Sequence, residues 1–214
     1  MSMMMDLPIF PLNTVIFPGW PMPLHVFEPR YKEMVRYCVE EQQPFGIVLI
    51  EEGEAEFDTA VAPHQVGCTV AITQLERTED GRLYIMTVGQ ERFRIHRLKR
   101  DKPYLVGEVE MLDFEEEDKK VLKTAVADLR PLVIDYFSAL AQVDEDTAID
   151  ASQIPSDPEE LSYLAAAILQ VSLETKQSML GARKASNLLK YLTGVYKREL
   201  RLIPRHDMGT FSPN

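Results

Sequence analysis

Three groups of residues in this 214-residue chain have types and spacings that could carry chemistry. Ser186 and Lys190 stand four apart in a helical pattern, the spacing that would put a serine nucleophile beside a lysine base. The simpler reading is an amphipathic helix bearing a solvated serine and lysine. Cys38 falls on an apolar helical stripe and Cys68 opens an apolar strand. A reactive thiolate is disfavoured in such surroundings, so both read as structural. The acidic runs Glu51/Glu52/Glu54/Glu56/Asp58 and Asp144/Glu145/Asp146/Asp150 offer oxygen ligands. Neither has the spacing of a calcium loop, and the second lacks the turn glycine, so both read as solvated loops.

The usual catalytic signatures are missing. No glycine precedes a lysine, which excludes a phosphate-binding P-loop and the ATPases built on it. No pair of glycines has the dinucleotide-fold spacing, and no serine sits in a hydrolase elbow. His25, His64, His96 and His206 are scattered, and the two cysteines are 30 residues apart, so no zinc motif forms. The residues therefore nominate no catalytic group, no metal and no cofactor.

Two stretches nominate surfaces instead. The first is the proline-rich N-terminus, Leu7-Pro-Ile-Phe-Pro-Leu12 followed by Val15-Ile-Phe-Pro-Gly-Trp-Pro-Met-Pro-Leu-His-Val-Phe27. Its prolines favour extended backbone and remove sheet donors, which predicts edge strands and turns. Most of its aromatic side chains belong in a core. Trp20 and Met22 in a rigid turn suit apolar contact with another chain. The second is the basic edge Arg92, Arg94, His96 and Arg100. Without interleaved aromatics, cross-strand pairing with Glu108 and Glu110 explains it better than nucleic acid does.

The elements that would position these residues change character midway. Runs 45–50, 67–75 and 83–88 are short, apolar and β-branched, and alternation continues through Phe93, Ile95, Leu105 and Val109. That pattern predicts a largely antiparallel sheet with one wet face. One helix interrupts it, opening at Pro29 with the stripe Tyr31, Met34, Val35, Cys38, Val39 and closing at Pro44. From Asp118 the period is helical, in a long stripe from Val121 to Leu140 that Pro131 should kink or divide. Asp157-Pro158-Glu159-Glu160 reads as a capped helix start. Shorter and longer helices follow over 174–180 and 183–202. The expected divisions are a β-rich domain over 1–117, a helical domain over 118–202 and a loose tail over 203–214.

Charge follows the same division. The formal net charge is −11. Residues 1–117 hold 11 Lys/Arg against 21 Asp/Glu, whereas 176–205 hold 8 against 1. An acidic surface repels nucleic acid and anionic lipid, and the basic last helix is expected to dock on the acidic β half. Few cysteines, no signal peptide and no spanning segment point to the cytoplasm.

Leu7-Pro-Ile-Phe-Pro-Leu12, Phe17-Pro-Gly19 and Pro23-Leu-His-Val-Phe-Glu-Pro-Arg-Tyr31 resemble the opening of the Lon protease N-terminal, or substrate-binding, domain. Val66-Gly-Cys-Thr-Val-Ala-Ile72 and Gly89-Gln-Glu-Arg-Phe-Arg-Ile95 are similar to its second signature, and Asp157-Pro-Glu-Glu-Leu161 and Glu174-Thr-Lys-Gln177 to its helical half. The resemblance covers about residues 5–202. It implies an α+β fold: a twisted antiparallel pseudo-barrel of the PUA-like kind with one inserted helix, then a C-terminal helical bundle. It also implies a stand-alone bacterial, proteolysis-associated protein without ATPase or peptidase domains, which binds polypeptides and cleaves nothing. The family's catalytic serine and lysine lie outside this domain, so Ser186 and Lys190 inherit no role. Phe17, Trp20, Met22, Phe27 and Tyr31 are the expected polypeptide-binding residues. The expected partners are unfolded or extended segments and a protease or chaperone that receives them. An RNA-binding PUA-like protein using Arg183, Lys184, Lys190, Lys197, Arg198 and Arg201 is the alternative.

Overall fold

The structure, a computed structural model, describes residues 4–52, 62–141 and 151–202. Elements follow one another as β1 (Met5–Leu12), β2 (Pro21–Val26), α1 (Pro29–Glu40), β3 (Phe45–Glu52), β4 (Ala62–Pro63), β5 (Val66–Arg77), β6 (Leu83–Lys99), β7 (Leu105–Met111), α2 (Lys119–Ala141), α3 (Pro158–Ile168), α4 (Leu173–Leu180) and α5 (Ala185–Leu202). Strands precede helices and one helix is inserted, as the sequence pattern requires. Glu54, Glu56 and Asp58 of the first acidic run, the whole of the second, and the tail over 203–214 lie outside the described residues.

Strands β1, β7, β6, β5 and β3 pair in that order, and β1 also pairs β3, so five strands close into a ring. All pairings are antiparallel except β1 with β3. The pseudo-barrel expected from the resemblance is present.

β1 is not an edge strand, despite Pro8 and Pro11. Its first half pairs β7 from Met5 to Ile9, and its second pairs β3 from Ile9 to Leu12. Only Ile9 has neighbours on both sides. Each proline therefore sits where one side of the strand has no ladder to break.

β6 runs unbroken for 17 residues. Its second half belongs to the ring. Its first half, Leu83–Val88, carries β2 on one side and β5 on the other, making a three-stranded ribbon that extends beyond the ring.

The helical half packs against the ring through one shared core. Val15, Phe17 and Leu49 lie in the same cluster as Leu129, Leu161, Leu189 and Tyr196. α2 runs through Pro131 undivided. Proline forfeits its own N–H and crowds the carbonyl four residues back, and packing of Leu129 and Val133 against the other helices outweighs that cost. Asp157 caps α3 as predicted, its carboxylate accepting from Glu159 N at 2.9 Å and Glu160 N at 3.1 Å.

Candidate functional site

Each expected site residue has a definite place. Phe17 and Tyr31 are sealed in the core, at 1% and 5% exposure. Phe17 belongs to the core shared with the helices, and Tyr31 stacks on Phe10 with ring centroids 4.1 Å apart. Burial raises the Tyr31 hydroxyl's pKa, opposed by neighbouring Arg30. Trp20 and Met22 are half-buried against the α1 side of the barrel. The turn carrying Trp20 is pinned to β6 by Gly19 N to Gly89 O at 2.9 Å and Gly89 N to Trp20 O at 3.0 Å. A side chain at Gly89 would meet Phe17 O at 2.2 Å, so only glycine lets this turn lie so close. Phe27 alone of the five is exposed.

The exposed apolar surface that the structure does build surrounds Phe27 and the ribbon. Val39, Leu75 and Tyr84 are each nearly half exposed, as is Phe27. Val39 had been expected in the buried stripe of α1. Tyr31, Met34, Val35 and Cys38 are covered, whereas Val39, at the flank of the stripe, lines the open grooves with Leu75. An open groove of about 590 Å³ lies between α1 and the ribbon, lined by Val35, Val39, Leu75 and Leu83 and rimmed by charges. A second groove, of about 490 Å³, continues past Val39 along Ala71–Leu75. On the ribbon's other face His25 stacks on Tyr84 at 4.5 Å, with Phe27 5.6 Å from His25. Accessible apolar groups gathered in one neighbourhood are what an interaction surface requires.

The groove's rim is not acidic. Lys32, Arg36 and Arg77 face Glu33 and Glu40. The whole-chain charge therefore does not impose a preference for basic segments there.

The groups with catalytic or nucleic-acid potential are committed elsewhere. Ser186 donates its hydroxyl to Glu117, which also accepts Ser186 N–H at 3.0 Å. This carboxylate caps the first turn of α5, while Lys190 is exposed. Burial raises the Glu117 pKa, but the two Ser186 hydrogen bonds outweigh it and the net shift is downward. Both thiols are buried, and burial pushes each up to about 12. Among the described residues no group of three or more His, Cys, Asp and Glu could hold a metal ion.

Sequence reasoning placed Arg92 on the wet basic edge, and the structure corrects that. Arg92 is 2% exposed. Its Nη1 donates to Leu180 O at 2.9 Å and Ala182 O at 2.6 Å, and its guanidinium lies 4.0 Å over the Phe114 ring. A cation at the last carbonyls of α4 joins the two halves of the molecule. The pairing with acids holds for its neighbours: Arg94 is opposite Glu110, and His96 Nε2 lies 3.0 Å from Glu110.

The basic segment meets the acidic half at its start, where Arg183 and Lys184 pair with Glu115 at 2.6 and 3.8 Å, but the rest of it does not. α5 packs on α2 and α3, leaving Lys190, Tyr191, Lys197, Arg198 and Arg201 exposed. No helix among the described residues is long and apolar enough to cross a membrane.

Residues 6–198 match the family model for the ATP-dependent protease La (LON) substrate-binding domain. The chain is 27% identical over 193 residues to Lon protease 2 of Syntrophobacter fumaroxidans, covering 90% of this chain and 24% of that protein. It is 22% identical over 191 residues to Lon protease 1 of Hydrogenovibrio crunogenus, covering 89% and 23% respectively. It thus spans about a quarter of the length of these relatives. Among solved structures, a Lon N-terminal domain protein from Xanthomonas campestris superposes with a TM-score of 0.65 at 25% identity, covering 89% of this chain and 98% of that one. The N-terminal domain of Mycobacterium avium complex Lon protease gives 0.70 at 17% identity, covering 90% and 98%, and shares the fold.

Proposed function

We propose, from the premise that the chain belongs to the ATP-dependent protease La (LON) substrate-binding domain family, that it is a non-catalytic module that holds unfolded or extended polypeptide segments for a separate protease or chaperone. The observation that carries this reading is the exposed apolar surface around α1 and the ribbon, where Val39 and Leu75 line an open groove and Phe27 and Tyr84 stand out on the ribbon's other face. Trp20 and Met22 pack half-buried on the core beneath α1, while Phe17 and Tyr31 are sealed inside and take no part in this surface. A surface held by a closed ring and a glycine-pinned turn loses little freedom when it binds, so modest contact area yields usable affinity. The cytoplasm, where unfolded chains are handled, is the matching compartment.

The test is binding of a reduced, alkylated unfolded protein, measured by fluorescence anisotropy. Leu75→Asp combined with Tyr84→Asp should weaken binding about tenfold or more, equivalent to about 1.4 kcal/mol. Tyr191→Asp, on the far helix, should not. The client should remain intact with and without ATP. Absence of binding at tens of micromolar would remove the reading, and sustained cleavage by pure protein would remove its non-catalytic part. The RNA-binding alternative rests on the exposed basic face of α5. Salt-sensitive RNA retention lost on combining Lys190→Glu with Lys197→Glu would favour it instead.

A further inference from the structure

The ribbon has two long edges, and they are built differently. On the β2 side, Gly89 exchanges main-chain hydrogen bonds with the turn at Gly19 and Trp20, and Thr87 Oγ1 donates to Met22 O at 2.8 Å. Strand alternation then turns the backbones of Met22, Leu24 and Val26 toward β6, and those of Pro21, Pro23 and His25 outward. Two of the three outward residues are prolines, which have no N–H to offer. That edge is blunted against further pairing.

On the β5 side, β3 stops pairing at Val70. Thr78 N donates to Arg82 O at 3.0 Å, and the register runs unbroken from Gln74 opposite Met86 to Arg77 opposite Leu83. Glu76 therefore bonds Tyr84, and the N–H and C=O of Leu75 and Arg77 turn outward. No described strand covers them. Residues Thr73 to Arg77 are all exposed, and the edge contains no proline. The two grooves lie end to end along it, sharing Val39 and Leu75.

Unpaired main-chain donors and acceptors in β spacing are complementary to another extended backbone. We infer that the free edge of β5 at Leu75–Arg77 binds its polypeptide by strand addition, the ligand supplying a fourth strand to the ribbon. This rests on the polypeptide-binding reading and specifies how that site works. A ligand residue opposite Leu75 points its side chain to the same face as Leu75, over the Val35–Val39–Leu83 groove. Its neighbours point to the opposite face, beside Glu76. The ligand class is an extended segment with an apolar residue at every second position, a pattern found in the strands of unfolded proteins.

The probe is a fluorescein-labelled peptide, Lys-Thr-Leu-Thr-Leu-Thr-Leu-Lys, titrated by anisotropy against the full chain. Antiparallel addition aims the leucine amides at β5 and the threonine amides at solvent. N-methylation of the leucines should weaken binding about tenfold or more, with little effect from N-methylation of the threonines. In the protein, Arg77→Pro deletes one outward donor without touching the β6 ladder. It should weaken the unmodified peptide about tenfold relative to Arg77→Ala, which removes the side chain and keeps the donor, and the melting temperature should hold.

A peptide that binds but is equally sensitive, or insensitive, to both methylation sets would overturn strand addition while leaving polypeptide binding standing. Absence of any binding would remove both. A dimer of the chain abolished by Arg77→Pro would show that a second copy, not a client, occupies the edge. The peptide arm uses the unmutated protein, so the inference stays falsifiable even if Arg77→Pro misfolds.

Discussion

Arg92 shows how far one residue's role can depart from its type. Arginine on an alternating strand reads as solvent-facing, and Phe93 and Ile95 do take the opposite side in the core. What alternation cannot reveal is that the second face of β6 is covered at Arg92 by the end of α4. The signal lay across the ladder, where Arg92 stands opposite the buried Cys68. Replacing Arg92 with methionine keeps the volume but leaves Leu180 O and Ala182 O without their donor. The expected loss is about 2–4 kcal/mol of stability, read from urea unfolding. A change under about 0.5 kcal/mol would mean that water serves those carbonyls equally well. Cys38, by contrast, was legible, because an apolar stripe at helical spacing buries a thiol and keeps it protonated.

At the scale of elements, local chemistry was readable and pairing was not. The cap at Asp157 and the helix opening at Pro29 both follow from a few adjacent residues. The closure of β1 onto β3, the exposure of Val39 and the bare edge of β5 depend on where distant strands end, and no short window contains that. The start of α5 is a case where the partner is remote. Its capping carboxylate is Glu117, 69 residues away. Because the folded Glu117 pKa is lowered below its ordinary value of 4.5, this cap is fully present above the unfolded pKa. It is lost as pH falls through the folded pKa. Glu117→Gln should therefore lower stability at neutral pH and flatten the acid limb of the stability profile. Parallel wild-type and mutant profiles below pH 4.5 would show that the carboxylate's charge plays no part.

At the scale of the whole molecule, the change from strands to helices near residue 117 is a change of architecture carried on a shared core. Val15, Phe17 and Leu49 pack among the helices, and Arg92 and Gln177 bond across the two halves, the latter through Nε2 to Val66 O at 2.9 Å. The expected outcome is one cooperative unfolding transition. Trp20 fluorescence, which reports the strands, should coincide with far-ultraviolet circular dichroism, which reports mostly the helices. Separated midpoints would show that the halves melt independently. The family and the order of elements were legible in the sequence because they rest on motifs spread along the chain. Of the proposed binding surface only Phe27 was legible, since Phe17 and Tyr31 are as aromatic as Phe27 and only the closed ring decides which face water.

The prolines at 21 and 23 carry one more implication. Fibril growth by stacking strands requires two adhesive ends on every unit, one to join and one to be joined. A ribbon whose β2 edge keeps one outward donor, at His25, has one such end. Two copies could meet through β5 and satisfy each other, but a third would find no purchase. A chain with a single such edge is thereby spared from becoming the seed of its own aggregate.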